Sequence, residues 1–158
     1  LALVGERRLL FVCVHNAGRS QMAEAFAKKY GLKASSAGTV PAAKVNPVVV
    51  YVMKERGIDL SSGTPKMLTV EMITEASLVV TMGCSVEEVC PRPMLARMQK
   101  KLVDWNLPDP EGKSIDDVRK IRDEIEMRVK QLTKSEPRTS DITSVSERQV
   151  LSTGVLVP

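Results

Sequence analysis

The sequence predicts an α/β fold built on a parallel sheet, and three observations carry that prediction. Short, nearly continuous apolar runs at 7–14 and 76–82 read as strands covered on both faces. Stretches with apolar residues every three or four positions lie between and after them. The two kinds of element alternate along the chain, as in folds whose crossovers are right-handed. With 158 residues, 43% of them apolar, the chain can bury one core, and because aromatics make up only 3% that core must be filled by Val, Leu, Ile, Met and Ala.

The first strand is expected over 7–14, ending around Cys13. Residues 19–30 follow with Met22, Ala23, Phe26, Ala27 and Tyr30 at helical spacing, and Gly31 stops that helix in the usual C-cap position. A second strand over 33–36 runs into a small-residue turn at Ala37 and Gly38. Val48, Val49, Val50, Tyr51 and Val52 have strand propensity. However, Asn46 and Pro47 before them and Gly57 after them are helix punctuation, so 47–56 is read as helix. A polar loop over 61–66 leads to Thr69, which caps a short helix ending near Thr74. The strand at 76–82 delivers Cys84 just past its carboxyl end, and 101–104 is a fourth strand. Beyond a loop over 105–113, Ser114 and Asp117 resemble a capping box. Val118, Ile121, Ile125, Val129 and Leu132 then draw one apolar stripe along a helix over 115–132.

Residues 1–134 form one domain on this reading. In 135–158, eight of 24 residues are Ser or Thr and Pro137 interrupts the helix, the composition of a flexible C-terminal tail. A net charge of +4 suits small anions or an acidic partner. No Lys/Arg block, zinc-finger spacing or aromatic and basic ladder points to nucleic acid. No apolar run nears the ~20 residues that cross a bilayer, and 1–5 is too short for a signal peptide, so no membrane partner and a cytoplasmic location are expected. In that compartment the three cysteines are reactive, metal-binding or buried, not a disulfide framework.

The stretch Cys13-Val14-His15-Asn16-Ala17-Gly18-Arg19-Ser20 joins the first strand to the first helix. In an α/β sheet, ligands bind at the carboxyl ends of strands. Successive N–H groups from Val14 to Arg19 can form a nest, the helix adds its positive end, and the Arg19 fork matches a tetrahedral oxyanion. The same fields lower the Cys13 pKa and make it nucleophilic at neutral pH. Ser20 can donate a hydrogen bond to that thiolate and Asn16 can hold the loop in shape. His15 is read as a loop residue directed away from the oxyanion. The bland alternative is a buried Cys beside an incidental Arg.

This stretch, continued through Gln21, Met22, Ala23 and Glu24, resembles the phosphate-binding loop of the low-molecular-weight protein tyrosine phosphatase fold, most closely its thioredoxin-coupled arsenate reductase branch. The resemblance extends through Thr81-Met82-Gly83-Cys84 and Cys90-Pro91 to Asp104-Trp105-Asn106-Leu107-Pro108-Asp109-Pro110. It implies a three-layer sandwich around a four-stranded parallel sheet. Asp109 matches the general acid, which protonates an oxygen leaving the tetrahedral centre. An Asp-Pro pair is also an ordinary turn former.

Cys84 and Cys90 separate two enzyme readings. A phosphatase needs one cysteine, because water hydrolyses its phosphocysteine. The resembled reductases pass electrons through three: Cys13 would attack arsenate, Cys84 would attack Cys13 and release arsenite, and Cys90 would attack Cys84. Thioredoxin would then reduce the Cys84–Cys90 disulfide, with no bound cofactor. An intact helix would hold those two Cα atoms about 9 Å apart, beyond the limit of about 7 Å for a disulfide. Residues 85–89 are therefore expected to be a loop or to rearrange on oxidation. Burial as packing residues is an alternative for both cysteines, and zinc another, although their spacing is outside the usual window and only His15 offers an imidazole. The sequence departs from the resembled phosphatases in placing Glu111 and Gly112 after Asp109-Pro110, where a tyrosine is usual. Some resembled reductases hold a monovalent cation beside the loop. Asn16, Glu24 and Ser36 match those positions, but Lys66 stands where an acid is wanted and its ammonium takes the cation's place, so no bound metal is expected.

Overall fold

The computed structural model describes residues 7–83 and 101–135. Four strands, β1 (Arg8–Cys13), β2 (Lys33–Gly38), β3 (Leu78–Thr81) and β4 (Leu102–Asp104), make one parallel sheet in the order β2-β1-β3-β4. The described helices are α1 (Arg19–Lys29), α2 (Pro47–Lys54), α3 (Val70–Glu75) and α4 (Ile115–Ser135). Strand β1 lies inside the sheet with a core packed on each face, so its apolar run is continuous. Leu9, Phe11 and Cys13 point to a core shared with α1, α2 and α4. Leu10 and Val12 point to a smaller one that includes Ile73 of α3. These are the three layers of the predicted sandwich.

Local signals placed the elements well. Gly31 (φ 86°) ends α1 with two bonds that close its last turn, Leu32 N–H to Ala27 O at 2.9 Å and Gly31 N–H to Lys28 O at 3.1 Å. The side chain of Asn46 accepts from Val48 N–H at the start of α2, with Pro47 next to it, so punctuation prevails over β-branching there. Thr69 accepts from Met72 N–H and Ser114 from Asp117 N–H, as expected of caps.

Two differences bear on the site. The expected turn at Ala37 and Gly38 is the end of β2, paired with Val12 and Cys13. A Cβ on Gly38 would lie 2.5 Å from Val14 O and 2.9 Å from Asn16 N, so only glycine lets this strand reach the Cys13 loop. Strand β3 is shorter than expected, because Ala76 is the C-cap of α3, and the Ser77 main chain and hydroxyl bond to Arg8 instead. Cys84, Cys90, the segment 85–89 and the tail from 136 lie outside the described residues.

Candidate active site

Cys13 is the last residue of β1, and its loop reaches α1 at Arg19. Each carbonyl between them is held from outside. Val14 O accepts from Val40 N–H (2.8 Å), His15 O from Ala42 N–H (3.0 Å) and Ala17 O from Asn46 N–H (2.9 Å), while Gly18 O accepts from Met22 N–H (3.0 Å). Asn16 O accepts from the Gln21 side chain at 3.2 Å. In a trans peptide the next N–H points opposite to the carbonyl, so these outward bonds turn the amides of 15–19 toward the inside of the loop. Asn16 completes the turn at φ 51°, in the left-handed region that asparagine tolerates.

The hydrogen bonds around Cys13 can be followed inward from Lys66. Lys66 N–H donates to Asn16 Oδ1 at 2.8 Å, which settles the orientation of that amide. Asn16 Nδ2 therefore donates to Ser20 Oγ (2.7 Å) and to Ser36 Oγ (2.9 Å). The Ser20 hydroxyl, with its oxygen accepting from Asn16, has its own proton for Cys13 Sγ at 2.9 Å. Asn16 N–H adds a second donor to the sulfur at 3.2 Å. Both bonds favour thiolate over thiol. Cys13 is 3% exposed, and Asn16 and Ser20 are fully buried.

Arg19 begins α1 with its side chain buried under the loop after β4. Its Nη1 donates to Met82 O and Leu107 O, both at 2.7 Å, which fixes the plane of the guanidinium. Nη2 lies 3.7 Å from Asp109 Oδ2. Asp109 is half exposed and takes the Glu111 N–H on Oδ1 at 2.9 Å. A Cβ on Gly18 would sit 2.9 Å from Pro110 Cγ, so the Asp109 loop rests directly on the Cys13 loop. Between them is a cavity of about 530 Å³, lined by Cys13, Arg19, Lys44, Pro47, Asp109 and Glu111 among others. A second opening that also borders Arg19 is lined by His15, Gly83, Asn106 and Asp109. His15 is exposed, and its Nδ1 pairs with Val40 O at 3.0 Å.

The structure thus brings Cys13, the loop from Val14 to Ser20 and Asp109 around one cavity. Lys66 Nζ lies 3.6 Å from Glu24 Oε1, in the cluster where the sequence anticipates it. Sequence reasoning missed Val40, Ala42 and Asn46 as donors to the loop and Met82 and Leu107 as acceptors for Arg19. These act through backbone atoms, so residue type carries no signal of them. Among the described residues, no cluster of three His, Cys, Asp or Glu could hold a metal ion, and no helix is long and apolar enough to cross a membrane.

A cysteine at the end of an inner strand, an amide-lined loop and an arginine opening the next helix define the class: an α/β domain with a phosphate-binding loop. The chain belongs to the low molecular weight phosphotyrosine protein phosphatase family, which it matches over residues 8–141. A putative arsenate reductase of Halobacterium salinarum is 42% identical, over 75% of this chain and 85% of its own. The solved thioredoxin-dependent arsenate reductase of Corynebacterium glutamicum is 36% identical with a TM-score of 0.67, covering 87% of this chain and 68% of that one. The YwlE arginine phosphatase of Geobacillus stearothermophilus is 27% identical with a TM-score of 0.71, covering 87% and 96%.

Proposed function

We propose that this chain reduces arsenate to arsenite. The observation that carries the reading is the Ser20 hydroxyl aimed at Cys13 Sγ beside an amide-lined loop, which favours a thiolate next to a tetrahedral oxyanion. The arsenate reductases among its relatives, and Cys84 and Cys90 in its sequence, support reduction as the outcome.

In this mechanism the loop amides and Arg19 hold the oxyanion. The Cys13 thiolate attacks arsenic and displaces one oxygen, which Asp109 protonates as it leaves. Cys84 then attacks the Cys13 sulfur. An S–S bond forms, the S–As bond breaks, its electron pair stays on arsenic, and arsenite departs. Cys90 attacks Cys84 and releases Cys13 as a thiolate. The dithiol of thioredoxin reduces the resulting disulfide and is itself oxidised.

The test is arsenate-dependent NADPH oxidation in the presence of thioredoxin and thioredoxin reductase. Turnover is expected and should disappear in Cys84→Ser; no turnover by the native chain would remove the proposal. Phosphate-ester hydrolysis is the second reading, favoured by the placement of Asp109 beside Arg19 and by the phosphotyrosine phosphatase family to which the chain belongs. Hydrolysis needs no second cysteine, so it would survive Cys84→Ser.

A further inference from the structure

Asp104 ends β4 with an exposed side chain, and the proposed reaction gives it no part. It stands beside Thr81 in the parallel pairing of β3 and β4. Its Oδ1 accepts the Thr81 hydroxyl at 2.7 Å and the Gly83 N–H at 2.8 Å. The second of these bonds leads to the anion site through a single peptide group. Gly83 N–H and Met82 C=O are the two ends of that peptide, and because it is trans they point in opposite directions. Asp104 holds the N–H end, and the carbonyl end accepts from Arg19 Nη1 at 2.7 Å. Both bonds are charge-assisted, and each polarises the peptide in the sense that strengthens the other.

Strand β3 has ended at Thr81, so the plane of this peptide is set by its hydrogen bonds and not by the ladder. Besides Arg19, the carbonyl takes a long bond of 3.3 Å from Leu107 N–H. A Cβ on Gly83 would lie 2.7 Å from Asn106 Cα, so the peptide packs directly against the turn that carries Leu107 O, the second acceptor of Arg19 Nη1. The two carbonyls that aim the guanidinium therefore meet at one junction, and Asp104 ties it. Charge alone would act in the opposite direction. A carboxylate repels an oxyanion, so loss of its charge by itself tightens anion binding. Loss of the acceptor instead frees the peptide to turn, and the guanidinium leaves the plane in which its fork meets the anion.

We propose that Asp104 is a positioning residue for the oxyanion site, acting on Arg19 through the Met82–Gly83 peptide. The proposal rests on the reading in which Arg19 holds the oxyanion. Its test is isothermal titration of the chain with inorganic phosphate, read as Kd and stoichiometry. Asp104→Ala should raise Kd about fivefold or more, at unchanged stoichiometry. Asp104→Asn keeps an acceptor oxygen and loses the charge, so its Kd should match the native one or fall below it. A merely structural role would lower the stoichiometry and leave the Kd of the folded fraction alone. An unchanged or lower Kd in Asp104→Ala, or an equal rise in Asp104→Asn, would overturn the proposal.

If Asp104→Ala does not fold, Thr81→Val decides, because it frees the same carboxylate: a raised Kd is expected there, and a native Kd would overturn the role. The link also has a readout that needs no ligand. In 15N-labelled protein the Arg19 Nη resonances should be held apart by slowed rotation of the guanidinium, merge in Asp104→Ala and stay apart in Asp104→Asn. Merged resonances in the native chain, or unchanged ones in Asp104→Ala, would break the link. Failure of arsenate reduction would remove the reaction and leave both measurements readable. If the native chain binds no phosphate, the reading of the site falls and the resonances alone decide the link.

Discussion

A single proton on Ser20 links the geometry of the loop to its chemistry. Asn16 donates to the Ser20 oxygen, and a Cys13 thiolate, which can only accept, takes the hydroxyl proton. Hydrogen bonds to charged groups contribute about 1.5–3 kcal/mol, and this one exists fully only with the thiolate. Ser20→Ala should therefore raise the apparent Cys13 pKa by about one unit and cut thiolate about tenfold at pH values below the native midpoint. Alkylation rate against pH measures it, and an unmoved midpoint would show that Ser20 serves packing alone. Arg19 works by shape as well as charge. With Nη1 committed to Met82 O and Leu107 O, the fork presents its remaining edge toward Asp109 and the cavity. Lysine cannot make that arrangement. Phosphate at a hundred times its Kd should stabilise the native protein by about 2.7 kcal/mol, seen as a rise in Tm. Arg19→Lys should lose most of that rise; an equal rise would exclude Arg19 from anion binding.

Among the elements, α2 and α4 show what periodicity reveals and what it hides. The stripe from Val118 to Val129 is buried, as its spacing implies. Arg122 and Glu126 are buried too, at 5% and 6% exposure, though their charges suggest the solvent face. Their partners are far away in sequence. Arg122 Nη1 donates to Val52 O (2.9 Å) and Glu55 Oε1 (2.7 Å), and Glu126 takes Arg56 (2.9 Å) and the Tyr30 hydroxyl (2.5 Å). A helical wheel has no access to such pairs, whereas caps such as Asn46 and Thr69 are legible because donor and acceptor are a few residues apart.

At the same junction, hydrogen bonds from Arg119 and then Arg122 bring the Glu55 pKa from 4.5 to about 2. A carboxyl that is more acidic when folded stabilises the native state above its unfolded pKa. That contribution fades as pH falls from about 4.5 toward 2. Glu55→Gln should therefore flatten the acid limb of the stability curve across that window, measured by urea unfolding at each pH. A limb as steep as the native one would place the acid sensitivity elsewhere.

At the scale of the whole molecule, legibility follows sequence distance. Cys13, the loop and Arg19 form one continuous stretch, and Asp109 has a distinctive setting between Pro108 and Pro110, so residue type and spacing suffice for them. The frame that shapes the loop comes from 40–46, from Lys66 and from Gly38. It works through main-chain atoms and one missing Cβ, which leave no compositional trace. Residue type alone predicts a turn at Gly38 for that reason, since glycine marks turns far more often than close approaches.

Those outward bonds also bear on robustness. Because neighbours hold the loop carbonyls, its shape does not depend on the side chains of Val14 or Ala17, neither of which makes a described polar contact. Exchanges there leave the path of the loop intact, while the outer segment at 40–46 must preserve its own path to keep the same amides aimed inward. Inheritance of this site is thus written partly outside the loop, in a neighbouring stretch that acts on it through main-chain donors.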